Sequence, residues 1–217
     1  MNTKVAINGL GRIGRAVVKV VIEEPSIELV AVNDLVDVEN LAYLLRFDTV
    51  YGRYSKPVVI DGHDLVVAGR KLQTLSSRNP LELPWKELGV ELVFECTGAL
   101  TRREDLAKHI RAGARMVLLS APSKDEDVET VVHGVNVPGG TPAIISCASC
   151  TTNCITPIVE VIGRGGEPRA GHDGRSARDD TRTAGVRGSV RRHRDQGTDP
   201  CRIARGHHVR HFAKDNR

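Results

Sequence analysis

Along the first three quarters of the chain, apolar residues recur with the short period of strands and the longer period of helices in turn. Residues 4–8 (Lys-Val-Ala-Ile-Asn) form a short apolar run that predicts a buried strand. Residues 12–23 then carry Ile13, Ala16, Val17, Val20 and Val21 at helical spacing, and 27–32 predict a second, parallel strand ending at Asn33-Asp34. A helix is expected over 38–45. Short β segments follow at 57–60, 65–67 and 72–75, punctuated by turns at Asp61-Gly62 and Gly69. Residues 91–95 predict another strand, followed by a helix capped by Thr101 and running to about Arg111, then strands at 116–120 and 143–146. The last patterned segment turns helical near Cys150 through Ile155, Ile158, Val159 and Ile162, with Pro157 as an irregularity. Strands alternating with helices predict an α/β chain, a Rossmann-type doubly wound sheet.

Composition divides the chain at about residue 163. All 17 leucines lie in residues 1–162, whereas 163–217 offer only Val186, Val190, Ile203, Val209 and Phe212 as large apolar residues. Such a segment cannot bury a core and is expected to be a disordered tail. It holds 14 Lys+Arg against 7 Asp+Glu, so the formal +4 of the whole chain leaves −3 for residues 1–162. The excess of base therefore belongs to the tail. It lacks interleaved aromatics and any helical period, so nucleic-acid binding is not expected of it. The five cysteines, Cys96, Cys147, Cys150, Cys154 and Cys201, have neither disulfide-framework nor zinc-finger spacing, so no metal site is expected. With no membrane-length apolar run and no signal-peptide core at Met1-Asn2-Thr3-Lys4, the reading is a soluble, cytoplasmic protein.

Two motifs carry chemistry. Gly9-Leu10-Gly11-Arg12-Ile13-Gly14 follows a predicted strand and opens a predicted helix, the setting in which a glycine loop lays a dinucleotide pyrophosphate on a helix N-terminus. A glycine loop alone means only a tight turn; here Asp34 stands about 20 residues beyond it, where an acid binds ribose hydroxyls and repels a 2′-phosphate, favouring NAD over NADP. Asp34 could instead merely end a strand. Ser149-Cys150-Thr151-Thr152-Asn153-Cys154 places a thiol at a predicted helix start, where unpaired N–H groups stabilise a thiolate and can hold an oxyanion. A lone cysteine is more often buried and inert, but hydroxyls and an amide crowd this one. Cys154 reads as a packing or redox neighbour, and Cys147 as core.

These blocks resemble phosphorylating glyceraldehyde-3-phosphate dehydrogenases of the bacterial type. The resemblance runs in order through Gly9–Arg15, Asn33-Asp34, Phe47–Tyr54, Leu83-Pro84-Trp85, Glu95-Cys96-Thr97-Gly98, Ser120-Ala121-Pro122-Ser123, Lys124-Asp125 and Ala148–Cys154, covering residues 1 to about 162. Leu10 and Cys147 depart from it, phenylalanine and asparagine being usual there. It implies an NAD-binding domain over 1–149, in which Gly9, Gly11 and Gly14 form the loop, Arg12 and Ile13 meet the pyrophosphate, Asp34 the adenosine ribose, and Arg78 and Ser120 border the cofactor. It implies that 150–162 open a catalytic domain, with Cys150 as nucleophile and Ser149 and Thr151 at the substrate. Glyceraldehyde 3-phosphate and inorganic phosphate would be the substrates, in glycolysis, and the family forms homotetramers.

The resemblance stops at about residue 163. Ala177 stands where the family's proton-accepting histidine belongs, and nothing matches its substrate-phosphate arginine or catalytic-domain sheet. Ala177-Arg178 read as GCA-CGN contains CAC, a histidine codon, one nucleotide later, so residues 163–217 are expected to be a frameshifted end. The catalytic domain would then be largely missing, the tetramer lost and activity small or absent. Two other readings remain: an NAD-binding fragment whose basic tail binds nucleic acid or acidic partners, and, within the family, an erythrose-4-phosphate dehydrogenase.

Overall fold

The computed structural model describes residues 2–165; the tail predicted over 163–217 lies outside the described residues from 166 on, Ala177 included. Strand β1 (Thr3–Asn8) enters helix α1 (Arg12–Glu23) through the glycine loop, and β2 (Ile27–Asn33) returns parallel to β1. Helix α2 (Val38–Arg46) follows, then the small hairpin β3 (Phe47–Asp48) and β4 (Gly52–Arg53), and the meander β5 (Val58–Asp61), β6 (Asp64–Val67) and β7 (Arg70–Leu75). After the short helix α3 (Trp85–Leu88) come β8 (Leu92–Glu95), α4 (Arg103–Arg111), β9 (Met116–Leu119), β10 (Glu129–Thr130), β11 (Ile144–Ser146) and α5 (Cys150–Gly165). Nine strands form one sheet in the order β10-β11-β9-β8-β1-β2-β7-β6-β5, parallel from β10 to β7 and antiparallel beyond. The chain winds outward from β1 through β2, then returns to β1's other side with β8. The predicted doubly wound sheet is therefore present.

Both faces of the sheet are covered, which is why its central strands are nearly continuous apolar runs. In β1, Val5 and Ile7 pack into a cluster with Val17, Val18, Val21 and Leu41, while Ala6 faces the opposite cluster around Trp85, Val90 and Val93. Leu106, Val117 and Leu119 form a third cluster. Among the described residues no helix is long and apolar enough to cross a membrane.

Two sequence expectations are corrected. The buried stripe of α1 is Gly14, Val17, Val18, Val21 and Ile22, leaving Ile13 and Val20 exposed. The helix is rotated from the expected face because Gly14 must meet the loop: a Cβ there would stand 1.9 Å from the Gly9 carbonyl oxygen. Thr101 does not cap α4. The capping position is Arg102, without a side-chain cap, and the Arg103 N–H is taken instead by Asp125 Oδ2 at 2.6 Å.

Candidate dinucleotide and thiol site

Each predicted site residue follows the carboxyl end of a parallel strand. Gly9–Gly14 follow β1, Asp34 follows β2, Arg78 lies three residues past β7, Ser120 follows β9, and Ser149, Cys150 and Thr151 come after β11. A doubly wound sheet binds ligands along this edge, and the glycine loop stands at its reversal point, between β1's neighbours β2 and β8.

The glycine loop is a fitted turn. Gly9 adopts φ +92°, a left-handed conformation, and a Cβ on it would meet the Thr97 nitrogen at 2.7 Å. Gly14 packs on Gly9 as described. Gly11 differs: its backbone is extended and nothing lies within 4 Å of where a Cβ would be. The missing side chain thus leaves open space at a helix N-terminus that has no side-chain cap and no acid in its first turn. Arg12 is exposed beside it, and Ile13 offers apolar surface. Those features fit a dinucleotide, whose phosphates seek uncapped N–H groups.

Asp34 is half-buried. Its Oδ2 accepts the Leu10 N–H at 2.6 Å and its Oδ1 the Val36 N–H at 3.0 Å, so the acid braces the loop that precedes α1. Each carboxylate oxygen has a second lone pair that a hydroxyl donor can use. Leu35, next along, is 52% exposed. Arg78 is exposed in the loop after β7.

Cys150 is exposed at the first residue of α5. Ser149 caps that helix, its Oγ accepting the Thr152 N–H at 3.0 Å, while Asn153 Nδ2 donates to the Cys147 and Ser149 carbonyls at 2.7 and 2.9 Å. Ala148, just before, is held at φ +62°, a conformation an L residue adopts at a cost of about 1–3 kcal/mol, and one found more often at functional turns. Thr151 is exposed beside the thiol. Cys154 is exposed, and Cys147 is half-buried rather than core. Cys96 contrasts with Cys150: burial pushes its thiol up to about 12, the Ser120 hydroxyl bonding to it and opposing that rise.

Beneath this edge lies a polar network that the sequence motifs do not announce: Trp85, His109, Glu95, Asn8 and Asn33, all buried. The signal available for it is a polar residue closing an apolar strand, which Asn8, Asn33 and Glu95 each do.

Residues 3–103 match the family described as glyceraldehyde 3-phosphate dehydrogenase, NAD binding domain. The chain is similar to proteins named glyceraldehyde-3-phosphate dehydrogenase from Geobacillus stearothermophilus, 49% identical over 165 residues, and from Chlamydia pneumoniae, 50% over 163. These stretches cover 75% and 73% of this chain and 49% and 48% of those relatives. Glyceraldehyde-3-phosphate dehydrogenase 1 of Bacillus subtilis (strain 168) is 47% identical over 165 residues, covering 75% of this chain and 49% of that protein. The chain spans about half the length of the curated relatives it matches.

Proposed function

We propose, for a chain whose residues 3–103 match the glyceraldehyde 3-phosphate dehydrogenase NAD-binding family, that residues 1–149 hold NAD on the sheet's carboxyl edge and present it to a Cys150 nucleophile. Gly9, Gly11 and Gly14 shape the loop, and the first N–H groups of α1 with Arg12 and Ile13 receive the pyrophosphate. Asp34 receives a ribose, and Arg78 and Ser120 border the cofactor. When bound, NAD supplies a hydride acceptor. The chain's own contribution is covalent capture: the Cys150 sulfur bonds to the carbonyl carbon of an aldehyde, and after oxidation that carbon is held as a thioester open to inorganic phosphate. Ser149 and Thr151 flank the substrate. Glyceraldehyde 3-phosphate is the aldehyde this reading favours, and residues 150–162 open the catalytic domain.

The observation that carries this reading is the open space at Gly11 above an uncapped helix, with an exposed thiol at the start of another helix on the same sheet edge. Ala177 stands where the resemblance places the proton acceptor, so turnover by this chain is expected to fall about 10²- to 10⁴-fold below that of an enzyme with a general base. Alkylation followed by peptide mass spectrometry tests the thiol. Iodoacetamide is expected to modify Cys150 well before Cys96, and glyceraldehyde 3-phosphate with NAD to protect it. Unprotected Cys150, or acyl-phosphate formation that survives Cys150→Ser, would overturn the reading.

A further inference from the structure

We propose that Glu95 is a positioning residue for the dinucleotide: it gathers a buried hydrogen-bond chain whose direction is pinned at both ends, and through Thr97 it sets the floor of the glycine loop. The inference rests on the NAD-binding reading above.

One end of the chain is Trp85. Its indole nitrogen only donates, and it lies 3.0 Å from His109 Nδ1, so that atom accepts and the ring proton sits on Nε2. Nε2 then donates to Glu95 Oε2 at 3.1 Å. The other end is the Ser77 backbone. Its N–H donates to Asn33 Oδ1 at 2.9 Å and its carbonyl accepts from Asn33 Nδ2 at 2.9 Å, so the Asn33 amide cannot be flipped. Asn33 Nδ2 also donates to Asn8 Oδ1 at 2.7 Å, which orients Asn8 to donate to Glu95 Oε2 at 2.6 Å. Donors therefore converge on Glu95 from both sides. On its other oxygen, Oε1, it accepts the Thr97 N–H at 2.8 Å and the Thr97 hydroxyl. Only an acceptor-only group satisfies all four, which is why a carboxylate stands here with no exposed surface.

The network reaches the cofactor surface at defined points. Thr97 forms the wall against which Gly9 packs without a side chain, and Gly9 in turn carries Gly14 and the start of α1. Ser77 precedes Arg78. One buried carboxylate thus links the ends of β1, β2 and β8 with the loop after β7, the segments that the NAD reading needs in register.

The substitution Glu95→Gln leaves a single acceptor oxygen, so an N–H of Thr97 or Asn8 would face an amide NH₂. For this variant, NAD affinity by calorimetry, measured below the onset of unfolding, is expected to weaken by about tenfold or more, the scale of one unsatisfied buried donor. Leu65→Ala, a core truncation on β6, three strands from β1 in the sheet, is expected to lower the melting temperature yet bind NAD as the parent does. Should Glu95→Gln not fold, Thr97→Val removes one donor while keeping shape, and is expected to weaken NAD about threefold or more. Histidine ¹⁵N spectra of the parent are expected to show the His109 proton on Nε2. Parent-like NAD affinity in Glu95→Gln, or in Thr97→Val where that is the variant that folds, would overturn the proposal, as would equal weakening by Leu65→Ala or a proton on Nδ1. A parent chain that fails to bind NAD would overturn the underlying reading instead.

Discussion

Gly11 and Gly14 occupy one motif but are glycines for different reasons, and substitution separates them. Gly11 has an ordinary backbone and open space, so Gly11→Ala is expected to melt like the parent while its methyl obstructs the pyrophosphate and weakens NAD. At Gly14 the methyl would collide with the Gly9 carbonyl, so Gly14→Ala is expected to lose about 1–3 kcal/mol of stability as well as NAD affinity. Thermal melting alongside calorimetry checks the pair; equal melting losses would contradict it. Cys96 makes a second prediction. Burial raises its thiol to about 12, so the folded protein keeps a proton that the unfolded chain releases above roughly pH 8.5, and the resulting stability is lost as pH rises toward 12. Denaturant melts from pH 8 to 11 are expected to show a steeper decline for the parent than for Cys96→Ala, by up to about 1.4 kcal/mol per pH unit. Parallel curves would contradict the assignment. The motif glycines, Asp34 and Cys150 were legible in the sequence because their chemistry depends on local spacing. The roles of Glu95 and His109 were not, because, the Thr97 bonds of Glu95 apart, the contacts that join them to each other and to Asn8 span 14 to 101 residues and only the fold brings them together.

Helix α4 shows how an element boundary escapes local reading. Thr101 is a good capping residue by type, yet its carbonyl is occupied by the Lys124 N–H and the Ser123 hydroxyl, and the cap comes from Asp125. Asp125→Ala is expected to cost about 0.5–2 kcal/mol in melting experiments, the range of a lost N-cap. No measurable loss would contradict the remote cap. The rotation of α1 has a similar origin: periodicity announced a helix with an apolar stripe, but the contact between Gly14 and Gly9 chose which residues face the sheet. The tight turn before β7 uses Ala68 at φ +52° beside Gly69, where sequence marked only the glycine.

For the molecule as a whole, order and type of elements followed from alternating periods, since a parallel sheet covered on both faces demands apolar strands separated by amphipathic helices. The sequence did not reveal how α5 would sit: Ile155, Ile158, Val159 and Ile162, the apolar positions that announced the helix, remain exposed. Periodicity identifies a face to be buried without identifying what buries it. What the topology does accomplish is to bring the glycine loop, Asp34, Arg78, Ser120 and Cys150 to the carboxyl edge of one sheet. That arrangement is tested most directly by titrating the whole chain with NAD and with NADP in a calorimeter. The account predicts saturable binding of one NAD per chain and at least roughly tenfold weaker binding of NADP, since Asp34 repels a 2′-phosphate. Absence of NAD binding, or equal affinity for both nucleotides, would contradict it.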